Sequence, residues 1–328
     1  MPATSNQQPA SSSQFPLISV VIPNWNGARF LPTCLDSLRH QTYPDFEVIV
    51  VDNASTDNSV ELIEREYPEV RLVKLPTNRG LTGGANAGIQ VARGEIIALL
   101  NNDTEADPRW LRELHCALEA DPGAGMAASK MLLFDRRDVI HSAGDFYRAD
   151  GVPGNRGVWE RDEGQFDGTR RVFGACGGAA AYRWAMLEEI GLFDEDFFMY
   201  CEDVDLDWRA QLAGYPCAFA PRAIVYHRLS ATGGGETASY YCGRNFIFVI
   251  VKDIPTPLLK KYWWRITLAQ LRIAWEALCA WRGKAARARL RGQLAALCHL
   301  PLMLRKRREI QRARRVSNEY LESILQEP

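Results

Sequence analysis

At 328 residues, 47% apolar and 24% charged, the composition is that of a folded protein with one large domain or two ordinary ones, and it excludes a disordered or membrane-spanning chain. The net charge of −1 hides a division: from Lys252 to the end there are 17 Lys and Arg against 6 Asp and Glu, whereas residues 1–251 carry 22 against 34. An acidic body and a basic tail should meet different partners.

The first residues, MPATSNQQPASSSQ, lack an apolar core segment, so 1–16 reads as a disordered leader and not a signal peptide. LISVVIPNWNG (17–27) is a buried strand with its exit loop, and RFLPTCLDSLRHQTY follows as an amphipathic helix. FEVIVVDNAS (46–55) is a second strand, and TDNSVELIEREYP a helix with Thr56 or Asp57 as N-cap. VRLVKLP (70–76) is a third strand. NRGLTGGANAGIQVARG (78–94) reads as a glycine-rich loop running into a helix, and EIIALLNND as the fourth strand. Nearly continuous apolar strands alternating with helices predict a parallel sheet covered on both faces. Asn24 and Asn26, Asp52 and Asn53, Asn78, and Asn101 and Asp103 then gather at the carboxyl ends, where open parallel sheets bind ligands.

Short strands in a mixed region are expected over AGMAASKMLLF, VIHSAGDFY and RRVFGACGGAAAYR. Val204, Trp208 and Leu212 space out a helix that Gly214 stops, and PCAFAPRAIVYHRLSAT is a closing strand bearing His227. The eight cysteines (Cys34, Cys116, Cys176, Cys201, Cys217, Cys242, Cys279, Cys298) form no C-x-x-C pair, which argues against a zinc ribbon and fits reduced thiols in the cytoplasm.

Each candidate residue has a plainer reading beside it. Asp52 sits where dinucleotide folds hold ribose hydroxyls, but PNWNG has a single glycine and the G-x-G-x-x-A match GGGETA lies far downstream, against a dehydrogenase. Trp25 can stack on a base or fill a core. NRGLTGGANAG can hold phosphates with its amides and Arg79, or serve as a flexible connection. Asp103 is the metal candidate, since Mg2+ or Mn2+ takes one or two carboxylates plus phosphate oxygens; a turn or helix cap is the competing reading. CEDVDLDWR holds the densest acids, at 202, 203, 205 and 207: a general base, or solvated acids at a helix N-terminus with an Asp205–Arg209 pair.

Together VVIPNWNG, VIVVDNASTDNSVELI, NRGLTGGANAGI, LLNNDT, GACGGAAAYRWAMLEEIGLFDEDFFMYCEDVDLDWRAQLAGY and VYHRLSAT resemble the inverting nucleotide-sugar glycosyltransferases of family two, in particular their rhamnosyltransferase-like and galactofuranosyltransferase-like members. The resemblance implies a GT-A, Rossmann-like fold: a mixed, mainly parallel sheet flanked by helices. Its catalytic domain would span 17–250, with a nucleotide-binding half (17–125) and an acceptor half (126–250), followed by a basic helical extension (251–328). Pro23, Trp25 and Asp52 would contact base and ribose, with Asn26 and Asn102 beside them, and Asn78, Arg79 and Gly80 would meet base and diphosphate. Asp103 matches the last acid of a D-x-D motif whose first acid is here Asn101, and His227 the histidine completing the metal site. Asp203 matches the general base with Glu202 beside it; Gly177, Gly178 and Asp205 fall to the acceptor and donor-sugar pocket.

The implied reaction moves a sugar from a dTDP- or UDP-donor, rhamnose being one, to a glycan or lipid-linked saccharide in cell-surface polysaccharide synthesis, with Mg2+ or Mn2+. A nucleotide-sugar-binding scaffold without catalysis and a nucleotidyltransferase are the competing classes; PNWNGARF lacks the Gly-rich, basic signature of the latter. In the tail, Trp263, Trp264, Ile266, Leu268, Leu271, Trp275, Leu278 and Trp281 mix with Lys and Arg in helical spacing. Peripheral contact with an anionic membrane at the inner face is the expected use, against a helical bundle packed on the body or on a second subunit; no nucleic-acid fold signature accompanies the charge.

Overall fold

The computed structural model describes residues 15–229 and 234–327. The leader expected over 1–16 lies outside the described residues up to position 14.

The first half is built as the apolar runs require. Strands β1 (Ile18–Asn24), β2 (Phe46–Asp52), β3 (Arg71–Lys74) and β4 (Ile96–Leu100) alternate with helices α1 (Leu31–Arg39), α2 (Ser59–Glu66) and α3 (Gly80–Val91). All four strands are parallel in the order β4-β1-β2-β3, with Asn24 opposite Asp52. The chain leaves β1 in one direction and returns to its other side at β4. That reversal opens a crevice outside the carboxyl ends of β1 and β4. Alternate strand residues feed two cores: Val20, Ile22, Val50 and Leu100 pack under α1 and α2, while Val21, Val51 and Leu99 pack under α3.

The glycine-rich stretch is helix almost from its start, not loop. Its glycines serve close packing: a Cβ on Gly88 would lie 2.4 Å from Val21 Cγ1 and 3.0 Å from Val51 Cγ2. Side chains would lift α3 off the sheet, which outweighs glycine's poor helix propensity. At α2, Asp57 stands one residue before the cap position but still accepts from Ser59 N at 3.1 Å.

The second half extends the same sheet. Its elements are β5 (Thr104–Ala106), α4 (Trp110–Ala120), β6 (Met126–Leu133), β7 (Ile140–Ser142), β8 (Asp145–Tyr147), β9 (Pro153–Asn155), β10 (Arg171–Val172), β11 (Ala179–Arg183), α5 (Trp184–Ile190), α6 (Glu202–Ala213) and β12 (Cys217–His227). β11 inserts antiparallel between β4 and β6, and β12 runs parallel to β6. VIHSAGDFY, expected as one strand, breaks at Gly144, whose φ of +87° favours glycine, into β7 and β8. Gly214 caps α6 with φ +90°, as its place after the helical spacing predicts.

Five helices follow: α7 (Gly235–Lys252), α8 (Thr256–Cys279), α9 (Lys284–Cys298), α10 (Leu300–Arg312) and α11 (Asn318–Ile324). α7 crosses α9 at backbone contact, since a Cβ on Gly243 would meet Arg289 O at 2.5 Å and one on Gly292 would meet Tyr240 O at 2.1 Å. Phe248, Val249, Leu258, Ile266 and Met303 share a third core with Tyr147, Phe197, Val204 and Trp208. The position taken as the end of the catalytic domain, 250, falls inside α7. Among the described residues no helix is long and apolar enough to cross a membrane.

Candidate active site

The crevice is a cavity of about 870 Å3. Pro23, Trp25, Asn53, Asn78, Gly80, Asn101, Asn102 and Asp103 come to it from the first half, and His141, Asp145, Cys176, Gly178, Glu202, Asp203 and His227 from the second.

On the first side, amides tie the strand ends together. Asn102 Nδ2 donates to Asn24 Oδ1 at 2.7 Å, and Asn24 Nδ2 to Asp52 Oδ1 at 3.3 Å. Asn53 Oδ1 accepts from Arg79 N at 2.8 Å, and Asn53 Nδ2 donates to Asn78 Oδ1 at 3.1 Å. Trp25 stays 48% exposed at the rim, a free aromatic face and not a core residue. Of the expected nucleotide contacts, Asp52, Asn26 and Arg79 are not among the residues that line the cavity. Asp52 is buried and accepts from Ser55 N at 3.1 Å; Asn26 Oδ1 accepts from Thr56 N at 2.7 Å; the Arg79 guanidinium bonds Glu195 at 2.7 Å.

The pairing of β12 with β5 sets His227 opposite Thr104 and so beside Asp103. His227 Nε2 lies 3.2 Å from Asp103 Oδ1. Two ligands of one divalent ion stand about 3 Å apart when each bond is about 2.1 Å, so this donor pair fits a shared cation. His227 Nδ1 is 3.2 Å from His141 Nδ1. Burial first, then the charge of His227, holds the His141 pKa down to about 4, so a neutral His141 can accept from His227 Nδ1–H, a tautomer that would leave His227 Nε2 bare for a cation. Asn101 offers an amide where a second carboxylate would stand; its backbone N donates to Gly178 O at 2.9 Å.

Opposite lies the start of α6. Asp203 Oδ2 accepts from Gly177 N at 2.9 Å and Oδ1 from Val204 N at 2.8 Å. Burial pushes its pKa up while those N–H groups pull it back. Glu202 is buried, its Oε2 makes no hydrogen bond among the described residues, and burial with the Asp203 charge raises its pKa well above the usual range. The Asp145, Cys176 and Asp203 ligand atoms lie within 4.8 Å of one another. Asp145 accepts from Asn155 Nδ2 at 2.8 Å and Ser142 Oγ at 3.1 Å; burial first, then the Asp203 charge, raises its pKa to about 8. Burial also keeps the Cys176 thiol protonated, so the trio is suited to sharing a proton.

Asp205 does not belong to the pocket. About 200° around the helix from Asp203, it is fully buried, with Arg209 Nε at 2.9 Å and the Lys252 ammonium against its other oxygen. The ordinary i,i+4 ion pair is its place.

The residues before α6 are strained. Phe198, Tyr200 and Cys201 have φ of 65°, 64° and 63°, uncommon for side-chain-bearing residues. α7 holds them: Asn245 Nδ2 donates to Phe197 O, Met199 O and Tyr200 O at 3.0, 2.9 and 2.6 Å. Gly80 closes against the same loop, where a Cβ would lie 2.3 Å from Phe198 O. His141, Asp145 and Asn245, with Tyr240 and Tyr241 of α7 and Arg291 of α9 in the cavity wall, were missed by the sequence reading. Only Arg244-Asn245, a polar pair inside apolar YYCGRNFIFVIV, gave a readable signal.

The chain is 32% identical over 228 residues to the O-antigen biosynthesis protein RfbC of Myxococcus xanthus, covering 66% of this chain and 18% of that relative. The chain thus spans a small part of that relative's length. Among solved structures, the mannosyltransferase PcManGT from Pyrobaculum calidifontis, in complex with GDP-Man and Mn2+, aligns with a TM-score of 0.54 at 21% identity, over 91% of this chain and 86% of that one. GalNAc-T7 with UDP, GalNAc and Mn2+ aligns with a TM-score of 0.60 at 18% identity, over 73% and 48%. These likenesses show a GT-A fold. The family model described as "Glycosyl transferase family 2" matches residues 19–191, over half of the sequence, and with the crevice and fold described above the chain belongs to that family of glycosyltransferases.

Proposed function

We propose that the protein is an inverting, metal-dependent glycosyltransferase that moves a sugar from a nucleoside diphosphate to a hydroxyl of a saccharide, free or lipid-linked, in polysaccharide synthesis at the cytoplasmic face of a membrane. The observation that carries this reading is one cavity bounded by Asp103 and His227 on one side and Asp203 on the other. Arg291 is the one Lys or Arg among its described lining residues, which leaves a diphosphate in need of counter-charge. Mg2+ or Mn2+ held by Asp103 and His227 would supply that counter-charge as the diphosphate leaves. Trp25 offers a stacking face for the base, and the Asn53–Asn78 pair borders the nucleotide. Asp203 takes the proton of the acceptor hydroxyl, which attacks the anomeric carbon from the face opposite the diphosphate, inverting it. The donor in this proposal is a UDP- or dTDP-sugar, rhamnose among them; the name of the Myxococcus relative supports the polysaccharide setting.

Thermal shift and donor hydrolysis with UDP-, dTDP- and GDP-sugars, each with Mn2+, Mg2+ or EDTA, test the reading. Metal-dependent stabilisation by one donor is expected, with turnover reduced about 10²–10⁴-fold in Asp203→Asn while donor binding survives. Binding without turnover in the wild type would favour a non-catalytic scaffold, and no nucleotide-sugar binding under any condition would sink both.

A further inference from the structure

The C-terminal helices carry an apolar face that the fold does not use. On α8, Trp264, Leu268, Leu271, Trp275 and Leu278 recur every three or four residues, and all are between 51% and 67% exposed. That spacing draws one stripe about 21 Å long at 1.5 Å per residue. Leu258, Ile266 and Ala277, on the opposite side of the helix, are already buried against the body. Packing therefore accounts for one face of α8 and leaves a second one in water. Trp263 and Trp281 extend the exposed surface, and α9 adds Leu294 and Leu297.

The charges around this face are predominantly positive, although Lys261, Arg265, Arg272 and Arg291 have acidic partners. Residues 260–291 contain nine Lys and Arg against a single acid, Glu276. Lys260, Arg282, Lys284 and Arg287 are exposed, and among the described residues none has an acidic partner. We infer that this face docks on an anionic lipid bilayer, the tryptophans at headgroup depth, the leucines below them and the cations against lipid phosphates. Indoles favour that depth, and a Lys/Arg-flanked apolar stripe on a helix too polar to span lies in the interface plane. A twofold contact with a second copy would set this cationic surface against itself, which like charges oppose.

Docking follows from the apolar and charge pattern alone; its use in catalysis rests on the proposed function. α9 lies between α8 and α7, and its Arg291 lines the cavity and bonds Glu236 of α7 at 2.7 Å. One helix thus joins the docking face to the cavity wall, which suits an acceptor anchored in the same bilayer.

The test is sedimentation of the full chain with vesicles of phosphatidylcholine alone or mixed with phosphatidylglycerol, at low and high salt. Salt-sensitive binding to the anionic vesicles with a blue shift of tryptophan emission is expected. Trp264→Ser with Leu268→Ser and Trp275→Ser should weaken binding by roughly tenfold or more, and Arg282→Gln with Lys284→Gln and Arg287→Gln should remove most of its salt dependence. Unchanged melting of both variants shows that folding is intact, and donor hydrolysis without vesicles reads the catalytic proposal separately. No vesicle binding, equal binding to both lipid mixtures, or variants that bind like wild type would overturn the inference. So would a dimer by analytical ultracentrifugation that the serine variant dissociates while vesicle binding is absent, since it would give the face to a second copy.

Discussion

Asp203 and Asp145 face one cavity with a thiol between them, and neither can ionise without feeling the other. The pair divides its work by environment. Asp203 has two backbone N–H donors that favour its charged form, whereas Asp145 has only Asn155 and Ser142 against deeper burial. Asp203 is therefore the first to lose its proton and Asp145 the one to keep it. The stability consequence has a definite sign. Between the ordinary value of 3.8 and about 8, the folded chain holds a proton on Asp145 that the unfolded chain has released, so stability falls as pH rises through that window. Asp145→Asn should flatten this component of the melting temperature's pH dependence. Parallel wild-type and variant curves across the window would show that the side chain does not hold the proton. Burial first, then the Asp203 charge, pushes the Glu202 carboxyl well above its ordinary range as well.

Among the elements, the strained segment ahead of α6 leads into the turn that bears Glu202 and Asp203, and α7 restrains it through Asn245. Asn245→Ala removes the donor to the Met199 and Tyr200 carbonyls, while Phe197 O keeps Arg244 Nη2, and a loss of about 1–3 kcal/mol in urea unfolding is expected. On the proposed function, turnover should fall more than donor affinity, because the loop leads into Asp203 and not into the strand ends across the cavity; equal losses in both would count against this clamp. The same elements show what a sequence exposes. The parallel half was legible because β1, β2 and β4 are apolar at both strand parities, and Gly214 marked the end of α6. α3 was not: glycine's low propensity hid a helix whose lack of Cβ atoms lets it sit on Val21 and Val51. Asp103 and Asp203 stood out as acids where apolar runs stop. His141 and Asp145 reach the cavity through the broken β7–β8 segment and antiparallel pairing, for which no local period exists. Asp205 looked like its neighbours in CEDVDLDWR, and only the turn of the helix separates a buried ion pair from a cavity acid.

Across the whole molecule, the C-terminal helices are bound to the body by charge as well as by the third core. Lys252 of α7 bonds Asp194 at 2.5 Å and contacts Asp205, while Lys306 of α10 bonds Asp194 and Asp196 at 2.5 Å each. These ammonium groups hold the Asp194 carboxyl well below its usual range although burial opposes them. Lys252→Met would leave Asp205 to Arg209 and Asp194 to Lys306, one buried cation short, at a cost of up to about 3–5 kcal/mol in denaturant unfolding; adding Asp205→Asn should recover part of it. A wild-type-like midpoint for the single variant would mean that the cluster adds nothing to the union. A different property follows from β11. It is hydrogen-bonded to β4 on one side and β6 on the other, so the parallel first half and the mixed second half are a single plate. A clamshell motion between them would have to tear the middle of a ten-stranded sheet. The strand ends that face each other across the cavity therefore keep a fixed spacing, set when the chain folds.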